Sequence, residues 1–547
     1  DAVFCRIALA LKKKNRQKGV FMAQINVSNL TFGYEGSYDT IFENVSFSID
    51  TSWKLGFVGR NGKGKTTFLQ LLLGKYEYQG AITRSVVFDY FPYPVKQKDL
   101  ERTAAELMED WKAGVESWRV LCELEKLDMD AELLYRPFGT LSFGERTRVM
   151  LAVLFSGEND FLLIDEPTNH LDQDAREIIK KYLASKKGFI LVSHDRDLLD
   201  ACIDHVLVLN RASIEVQSGN FSSWWENKEK ADHFARMEHE KRVKEIGKLK
   251  AAADCSSRWA EKNENTKIGY DPAKEHDRSI STRSYIGAKT KKMQSRVKAY
   301  EERMDREIEK KEGLLKDIET VKDLKIMPLS HYKERLIECR DFSLKYRDGK
   351  EHVITGLNFE LKQGDRVFLK GKNGCGKSSL IKYILTQNLQ NSSNGGIEKR
   401  KITMSGCENL SGENIMATGT CSIASNLVIS YINQDTSHLS GTLKEFAKKQ
   451  EIDEPMLLSM LRSLDLDREQ FVKNMEEFSE GQKKKVLIAA SLLTPAYLYL
   501  WDEPLNYIDV FSRMQIEKLI AQFQPTMLIV EHDARFAKKL ATKVVEL

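Results

Sequence analysis

Two segments of the chain place residues at the spacing that grips phosphate. Gly59-Arg60-Asn61-Gly62-Lys63-Gly64-Lys65-Thr66 and Gly371-Lys372-Asn373-Gly374-Cys375-Gly376-Lys377-Ser378 both fit G-x-x-x-x-G-K-[ST]. In this pattern glycines let backbone N–H groups close around the phosphates of ATP. The lysine reaches the β- and γ-phosphates, and the hydroxyl binds Mg²⁺. The first loop thus offers Gly59, Asn61, Gly62, Gly64 and Lys65, with Thr66 for the metal and Thr67 beside it. The second offers Gly371, Asn373, Gly374, Gly376 and Lys377, with Ser378 for the metal and Ser379 beside it. One chance match in a chain this long has a probability of roughly a few per cent. Two matches, each followed by the same further motifs, are no coincidence.

Those further motifs are acids and histidines at the ends of hydrophobic runs. Phe161-Leu162-Leu163-Ile164 ends in Asp165-Glu166, and Tyr497–Trp501 ends in Asp502-Glu503. An acid in this position can hold Mg²⁺ through water, the role read for Asp165 and Asp502. The adjacent Glu166 and Glu503 can polarise the attacking water. Two further runs, Phe189–Val192 and Met527–Val530, deliver Ser193-His194-Asp195 and Glu531-His532-Asp533. His194 and His532 stand at matching positions, so both are read as sensing or orienting the γ-phosphate instead of as satisfied structural histidines.

These groups need elements to hold them. Strands over Ile25–Phe32 and Ile41–Ile49 and one ending at Val58 precede the first loop, which opens a helix at Lys65. A helical stretch from Leu100 to about Leu134 leads to Leu141-Ser142-Phe143-Gly144-Glu145. The second half repeats the order, with Phe478-Ser479-Glu480-Gly481-Gln482 before its acidic strand. Alternating strands and helices with phosphate loops imply α/β domains on largely parallel sheets, present in tandem.

A length of 547 residues suits two or three domains, and a hydrophobic fraction of 41% with 30% charged residues describes a soluble globular protein. No run approaches the ~18 to 20 apolar residues of a membrane span, so no transport pathway is expected within the chain. Eight cysteines without C-x-x-C pairs argue against zinc or a disulfide framework and fit a reducing cytoplasm. The net charge of +4 resides mostly in residues 1–21, which carry six basic residues against Asp1. Met22 directly precedes the first strand. Residues 1–21 are read as a non-native leader ahead of a start at Met22, the alternative being a disordered basic arm; a signal peptide does not fit.

The motif set resembles the ATP-binding cassette proteins: Walker A, an [L/F]-S-x-G-[E/Q] signature, Walker B with its glutamate, D-loop and switch histidine. The resemblance implies two cassettes facing head to tail, each ATP sandwiched between one Walker A and the opposite signature. The sites are then composite: Lys65 and Thr66 with Ser479 and Gly481, and Lys377 and Ser378 with Ser142 and Gly144. Tyr34 and Tyr346 look like adenine-stacking positions, with ordinary strand packing as the alternative. In the family a glutamine binds Mg²⁺ and senses the γ-phosphate; Tyr431-Ile432-Asn433-Gln434 supplies Gln434, whereas Tyr90-Phe91-Pro92-Tyr93 offers Tyr93. The two sites are therefore expected to be unequal. Phe143 and Glu480 replace a usual signature glycine, which bears on close approach to the opposite phosphate. Extra residues over 388–425, rich in Asn, Ser and Gly, read as a mobile surface insertion.

The sequence divides into a first cassette over 22–221, a linker over 222–328 and a second cassette over 329–547. Within the linker, Phe234, Met237, Ile246 and Leu249, and then Met293, Val297, Tyr300, Met304 and Ile308, recur at helical spacing around a break near Asn263–Ser284. This reads as a long antiparallel helical hairpin with its tip at about 263–290. Arg283, Lys289, Lys291, Lys292, Arg296 and Lys298 lie together without an acid among them; with Lys267 and Tyr270 they are read as contacts to RNA. A solvated helix face is the bland alternative.

Two cassettes joined by such a hairpin resemble the ABC-F proteins, which act on ribosomes. The resemblance implies a cytoplasmic ATPase, acting as a monomer, that binds in the ribosomal E site and reaches rRNA and the P-site tRNA, with neither DNA nor membrane as partner. The signature and Tyr90–Tyr93 segments look most like Lsa-type resistance factors, which displace lincosamides, pleuromutilins and streptogramin A compounds. A housekeeping translation factor of the same family, or the ATPase subunit of a transporter, are the competing readings.

Overall fold

The computed structural model describes residues 24–34, 40–157, 160–169, 171–209, 214–268, 281–314, 326–346, 352–393 and 415–547. The leader over 1–21 lies outside them. The chain forms two compact units, Asp1–Ser222 with Lys322–Leu547, and Ser223–Val321. Both nucleotide-binding halves belong to the first.

In the first half, β1 (Gln24–Gly33), β2 (Thr40–Asp50) and β4 (Gln79–Thr83) form an antiparallel sheet in the order β2-β1-β4. Its pattern of alternating burial leaves one face wet, as antiparallel sheets allow. A second sheet runs β5-β6-β7-β3-β8-β9, from β3 (Lys54–Val58), β5 (Val87–Phe91), β6 (Asp160–Asp165), β7 (Phe189–Val192), β8 (His205–Leu209) and β9 (Ile214–Ser218). Its first five strands are parallel and β9 turns back antiparallel. β7 is buried along its whole length, as a central strand covered on both faces must be. Between β3 and β4 lies α1 (Lys65–Leu72), which buries Phe68, Leu69, Leu71 and Leu72 in the core shared with both sheets.

The expected helix over Leu100–Leu134 is broken. It comprises α2 (Ala104–Trp111), α3 (Ser117–Lys126) and short 3₁₀ turns before the first and after the second. Thr103 and Glu106 form a capping box that starts α2. Then come α4 (Phe143–Leu154), α5 (Gln173–Ala184) and α6 (Arg196–Cys202).

The second unit is carried by α7 (Phe221–Ile268) and α8 (Ser281–Leu314). α7 has 48 residues, about 70 Å of helix. Both helices run further into the expected break than the composition suggested, leaving 269–280, with Tyr270, outside the described residues. The side chains of Lys267 and Arg283 also lie outside them. Lys289, Lys291, Lys292, Arg296 and Lys298 are exposed, while Met293, Val297, Tyr300 and Met304 are half-buried. Phe234 and Met237 in α7 are exposed.

The second half repeats the first. β10 (Arg335–Tyr346), β11 (His352–Lys362) and β13 (Ile415–Ile423) pair as β11-β10-β13. β12 (Arg366–Lys370), β14 (Ile429–Ile432), β15 (Leu498–Asp502), β16 (Met527–Val530) and β17 (Lys543–Glu546) pair as β14-β15-β16-β12-β17, all parallel. The helices are α9 (Lys377–Ser393), α10 (Leu443–Lys449), α11 (Glu454–Ser463), α12 (Glu480–Leu493), α13 (Val510–Phe523) and α14 (Ala534–Leu540). The expected insertion over 388–425 is not loop at its ends. α9 continues to Ser393, with Asn388 buried and bonded to the Leu427 carbonyl, and β13 is paired along β10. Residues 394–414 lie outside the described residues.

Candidate functional site

Each phosphate loop bridges a buried parallel strand and a helix N-terminus, β3 to α1 and β12 to α9. Gly64 caps α1 in the left-handed region (φ 99°), and a Cβ there would lie 2.5 Å from Ile41. Only glycine allows the loop this close to the antiparallel sheet. Lys65 folds over its own loop, donating to the carbonyls of Gly59 (2.7 Å) and Arg60 (3.1 Å) and to Asn61 Oδ1 (3.1 Å). Lys377 repeats this on Gly371 (2.8 Å) and Lys372 (2.9 Å). Tyr34 and Tyr346 sit at equivalent places. Each hydroxyl pairs with the residue two places after the loop lysine, Thr67 Oγ1 at 2.8 Å and Ser379 Oγ.

The signature segments fold as they do because Ser-x-x-[Glu/Gln] is a capping box. Ser142 Oγ accepts from Glu145 N, and Ser479 Oγ from Gln482 N, starting α4 and α12. The box satisfies the N–H groups of the serine and of the third helical residue. This leaves those of Phe143 and Gly144, and of Glu480 and Gly481, at the positive end of the helix dipole, a place that suits an anion. The N-terminus of α12 and the D-loop residue Tyr507 meet the first phosphate loop around one cavity of about 240 Å³. Asn61, Lys65, Thr66, Asp165, Glu166 and His194 line it from the first half; Ser479, Gly481 and Tyr507 line it from the second. Asn61 Nδ2 donates to the Tyr507 carbonyl (2.7 Å) across the seam. A Cβ on Gly481 would lie 2.6 Å from that carbonyl and 3.2 Å from Asn61 Nδ2. The close approach therefore falls to Gly481, while Glu480 accepts from Thr436 beside it. Phe143, at the matching place in the other signature, is largely exposed with the Arg146 guanidinium over its ring. The second phosphate loop meets the first cassette through the exposed pair Lys372–Asp174 (3.8 Å), which lies outside the signature bearing Ser142 and Gly144.

Within the first site Asp165 Oδ2 accepts from Thr66 Oγ1 (3.0 Å) and Tyr90 Oη (3.1 Å). Burial raises the Asp165 pKa against these bonds. Glu166 is pushed up to about 8 by burial and by Asp165. His194 lies 3.3 Å from it and is held neutral, chiefly by burial and then by Lys65 and Arg513. Asp502 is raised to about 6 by burial. Glu166 (φ 50°) and Glu503 (φ 47°) both adopt left-handed backbone, a strained conformation that clusters at functional sites.

The sites differ where the sequence said they would. Phe91 pairs with Ile164 and Ile432 with Trp501, so Tyr93 stands where Gln434 stands in the repeat. Gln434 Nε2 and Asn506 Nδ2 each donate to Glu503 Oε2 at 2.8 Å. Tyr93 instead turns back, donating to Asp89 (2.8 Å) and stacking on Trp111 at 5.3 Å. Tyr90, on the strand beside that of Asp165, reaches Asp165 instead.

Several residues had no motif to announce them. Arg60 pairs with Asp465 (3.0 Å) and Lys63 with Asp467 (3.5 Å) across the seam. Arg196, directly after the switch Asp195, forms a buried ion pair with Glu517 of α13. Lys485 of α12 pairs with the D-loop Asp509 (2.9 Å) in the interior. No spacing could have singled out Arg60–Asp465, Lys63–Asp467 or Arg196–Glu517, whose members lie more than three hundred residues apart.

The sequence profile described as ABC transporter matches residues 42–169 and 354–506. The "Ribosome protection protein VmlR" of Bacillus subtilis is 26% identical over 92% of this chain and 84% of its own. The "ATP-binding protein Uup" of Buchnera aphidicola is 24% identical over 95% of this chain and 80% of its own. Among solved structures, an archaeal ribosome recycling factor, aABCE1, in complex with the stalk protein aP1, shares the fold (TM-score 0.57, 18% identity, 95% of this chain and 87% of that one). Among the described residues no helix is long and apolar enough to cross a membrane. With both halves matched and their motifs in one order, the chain belongs to the ABC transporter family, as a tandem pair of ATP-hydrolysing cassettes.

Proposed function

We propose that the protein is a cytoplasmic ABC-F ATPase that binds the ribosome in the E site and protects the peptidyl-transferase centre from lincosamides, pleuromutilins and streptogramin A compounds. ATP binding closes the cassettes, the linker acts on rRNA and the P-site tRNA, and hydrolysis releases the protein. The observation that carries this reading is the pairing of a composite ATP cavity with a separate two-helix unit whose α8 exposes Lys289, Lys291, Lys292, Arg296 and Lys298. Such a run suits phosphate-backbone contact. Similarity to a ribosome protection protein over 92% of the chain supports it.

The residues fit Mg²⁺. Asp502 Oδ1 is buried with no hydrogen-bond partner among the described residues, and Asp165 faces the Thr66 hydroxyl. Thr66 with Asp165, and Ser378 with Asp502 and Gln434, would hold the ion, which when bound neutralises charge on the β- and γ-phosphates. Around it, Lys65 and Lys377 leave their loop carbonyls for phosphate oxygens. The segments bearing Ser479 and Gly481, and Ser142 and Gly144, supply N–H groups from the opposite cassette. Glu166 and Glu503 orient the attacking water and accept its proton, each held beside its neighbouring histidine, His194 or His532 (3.3 and 3.6 Å).

The test has two arms. A Glu166→Gln, Glu503→Gln double variant should close on ATP and co-sediment with ribosomes; absence from the ribosome fraction would sink the ribosomal reading. Expression in a susceptible bacterium should raise resistance to lincomycin and tiamulin, and unchanged susceptibility would leave a housekeeping translation factor.

A further inference from the structure

The signature helix of the second cassette contains a buried lysine that its counterpart lacks. Lys484 lies one turn inside α12, only 2% exposed. Its ammonium donates to the carbonyl of Asn433 (2.9 Å), next to Gln434, and to that of Glu503 (3.4 Å). Counting from the capping serines, Ser142 and Ser479, the first cassette has Thr147 at this place. Threonine ends one carbon beyond its Cβ and carries no charge, so it cannot span to a neighbouring strand end.

A second difference accompanies the first. Glu531, 4% exposed, stands where the first cassette has Ser193. Its Oε2 accepts from Leu505 N (3.2 Å), at the start of the D-loop, and its Oε1 from His532 N (2.8 Å). Burial lowers the Lys484 pKa, and the charges of Asp502, Glu503 and Glu531 oppose that fall. A buried cation and a buried anion thus occur together in one cassette, and two small hydroxyls occur together in the other. The cations acting on Glu531 are Arg513 and Arg176, and Asp502 and Glu503 come first among the charges that offset Lys484, so the link from α12 to the strand ends is carried by the two hydrogen bonds of the ammonium.

We propose that Lys484 is a positioning residue that conveys occupancy of the first ATP site to the hydrolytic groups of the second, and that no equivalent link runs the other way. The N-terminus of α12 lines the first cavity through Ser479 and Gly481. A phosphate drawn against that end shifts the helix, and Lys484 carries the shift to the backbone of Asn433 and Glu503. Gln434 and Glu503 there share a hydrogen bond of 2.8 Å. In the first cassette the matching Thr147 is too short to reach from α4 to the strand ends before Tyr93 and Glu166. The inference rests on the composite-site reading and not on the ribosome.

The test isolates turnover at the second site in purified full-length protein. Glu166→Gln leaves the first site able to bind ATP without hydrolysing it, and Lys65→Met stops it binding. With Lys484 present, second-site kcat should be about tenfold higher in the first background than in the second. Lys484→Thr and the apolar Lys484→Met should bring that ratio to about one. Lys484→Arg should restore part of it. The reverse ratio, first-site kcat in Glu503→Gln against Lys377→Met, should not respond to Lys484→Thr. If Lys484→Thr fails to fold, Lys484→Met carries the comparison. A ratio of one with Lys484 intact overturns both the composite-site reading and this assignment. A ratio that survives Lys484→Thr, or an equal fall at both sites, overturns the assignment alone.

Discussion

In the second cassette Gln434 donates to Glu503, and in the first Tyr93, at the same place in the repeat, turns its hydroxyl to Asp89 and its ring to Trp111. The surrounding frame hardly changes. Both glutamates have left-handed backbone, both signature helices start in capping boxes, and both lysines fold onto their own loops. The two halves keep the loop lysines, the capping boxes and the left-handed glutamates and differ in the side chain that stands at Gln434 and Tyr93. Phosphate binding depends on backbone geometry, which tolerates little change, whereas sensing depends on a few side chains that can be exchanged one at a time.

The largest expected effect sharpens this contrast. Glu166→Gln with Glu503→Gln should lower phosphate release by roughly 10²- to 10⁴-fold, the usual worth of a positioned base. The single variants should be unequal, with Glu503→Gln removing the greater share because only its carboxylate is oriented by a glutamine. Single-turnover phosphate release from each variant checks the ranking. Equal losses would break the comparison.

Next comes the seam between the cassettes. Arg196 and Glu517 are almost wholly buried, and Glu517 also accepts from Lys539 (3.3 Å). Removing one member leaves an uncompensated charge, so Glu517→Ala should destabilise by about 3–5 kcal/mol. An Arg196→Met, Glu517→Leu double variant should recover most of that. Urea midpoints of the three proteins measure it. A double variant as weak as Glu517→Ala would mean that the pair does more than satisfy itself.

The third effect concerns Gln434 and Tyr93 directly. Gln434→Ala should lower second-site turnover about tenfold, as loss of an orienting partner does. Tyr93→Gln should not confer the missing function on the first site. The Tyr93 side chain is buried away from Glu166, and its loss forfeits a stack worth about 1 kcal/mol beyond its area. First-site turnover in the Glu503→Gln background, with a melting curve, separates the two outcomes.

Much of this was legible in the sequence because the phosphate chemistry is local. Gly64, Lys65 and Thr66 are adjacent in the chain, and the hydrophobic runs before Asp165 and Asp502 read as buried strands. The unequal glutamine was legible too, since two copies can be compared. Arg196–Glu517 and Arg60–Asp465 were not, because partners more than three hundred residues apart leave no spacing to read. The ends of the 388–425 region misled for another reason: a polar composition predicts loop, but Asn388 is held inside by a hydrogen bond to Leu427, and β13 by pairing along β10.

The smallest effect lies beside the Arg196 pair and tests whether burial, not the mere presence of charge, makes the seam strong. Arg535, just after the switch residue Asp533, contacts Asp197 (2.9 Å) and Asp200 (2.8 Å) of the first cassette while remaining about one-third exposed. An exposed pair gains little, because water screens it and two long side chains must be held still. A double-mutant cycle of Arg535→Ala with Asp197→Ala should give a coupling of about 0.2–1 kcal/mol at low salt. In 1 M salt, where the Debye length falls to roughly 3 Å, it should approach zero. The Arg196–Glu517 coupling, shielded from ions, should barely respond to the same change. If the two pairs fall together with salt, water reaches Glu517 in solution and the seam opens far more often than its burial implies.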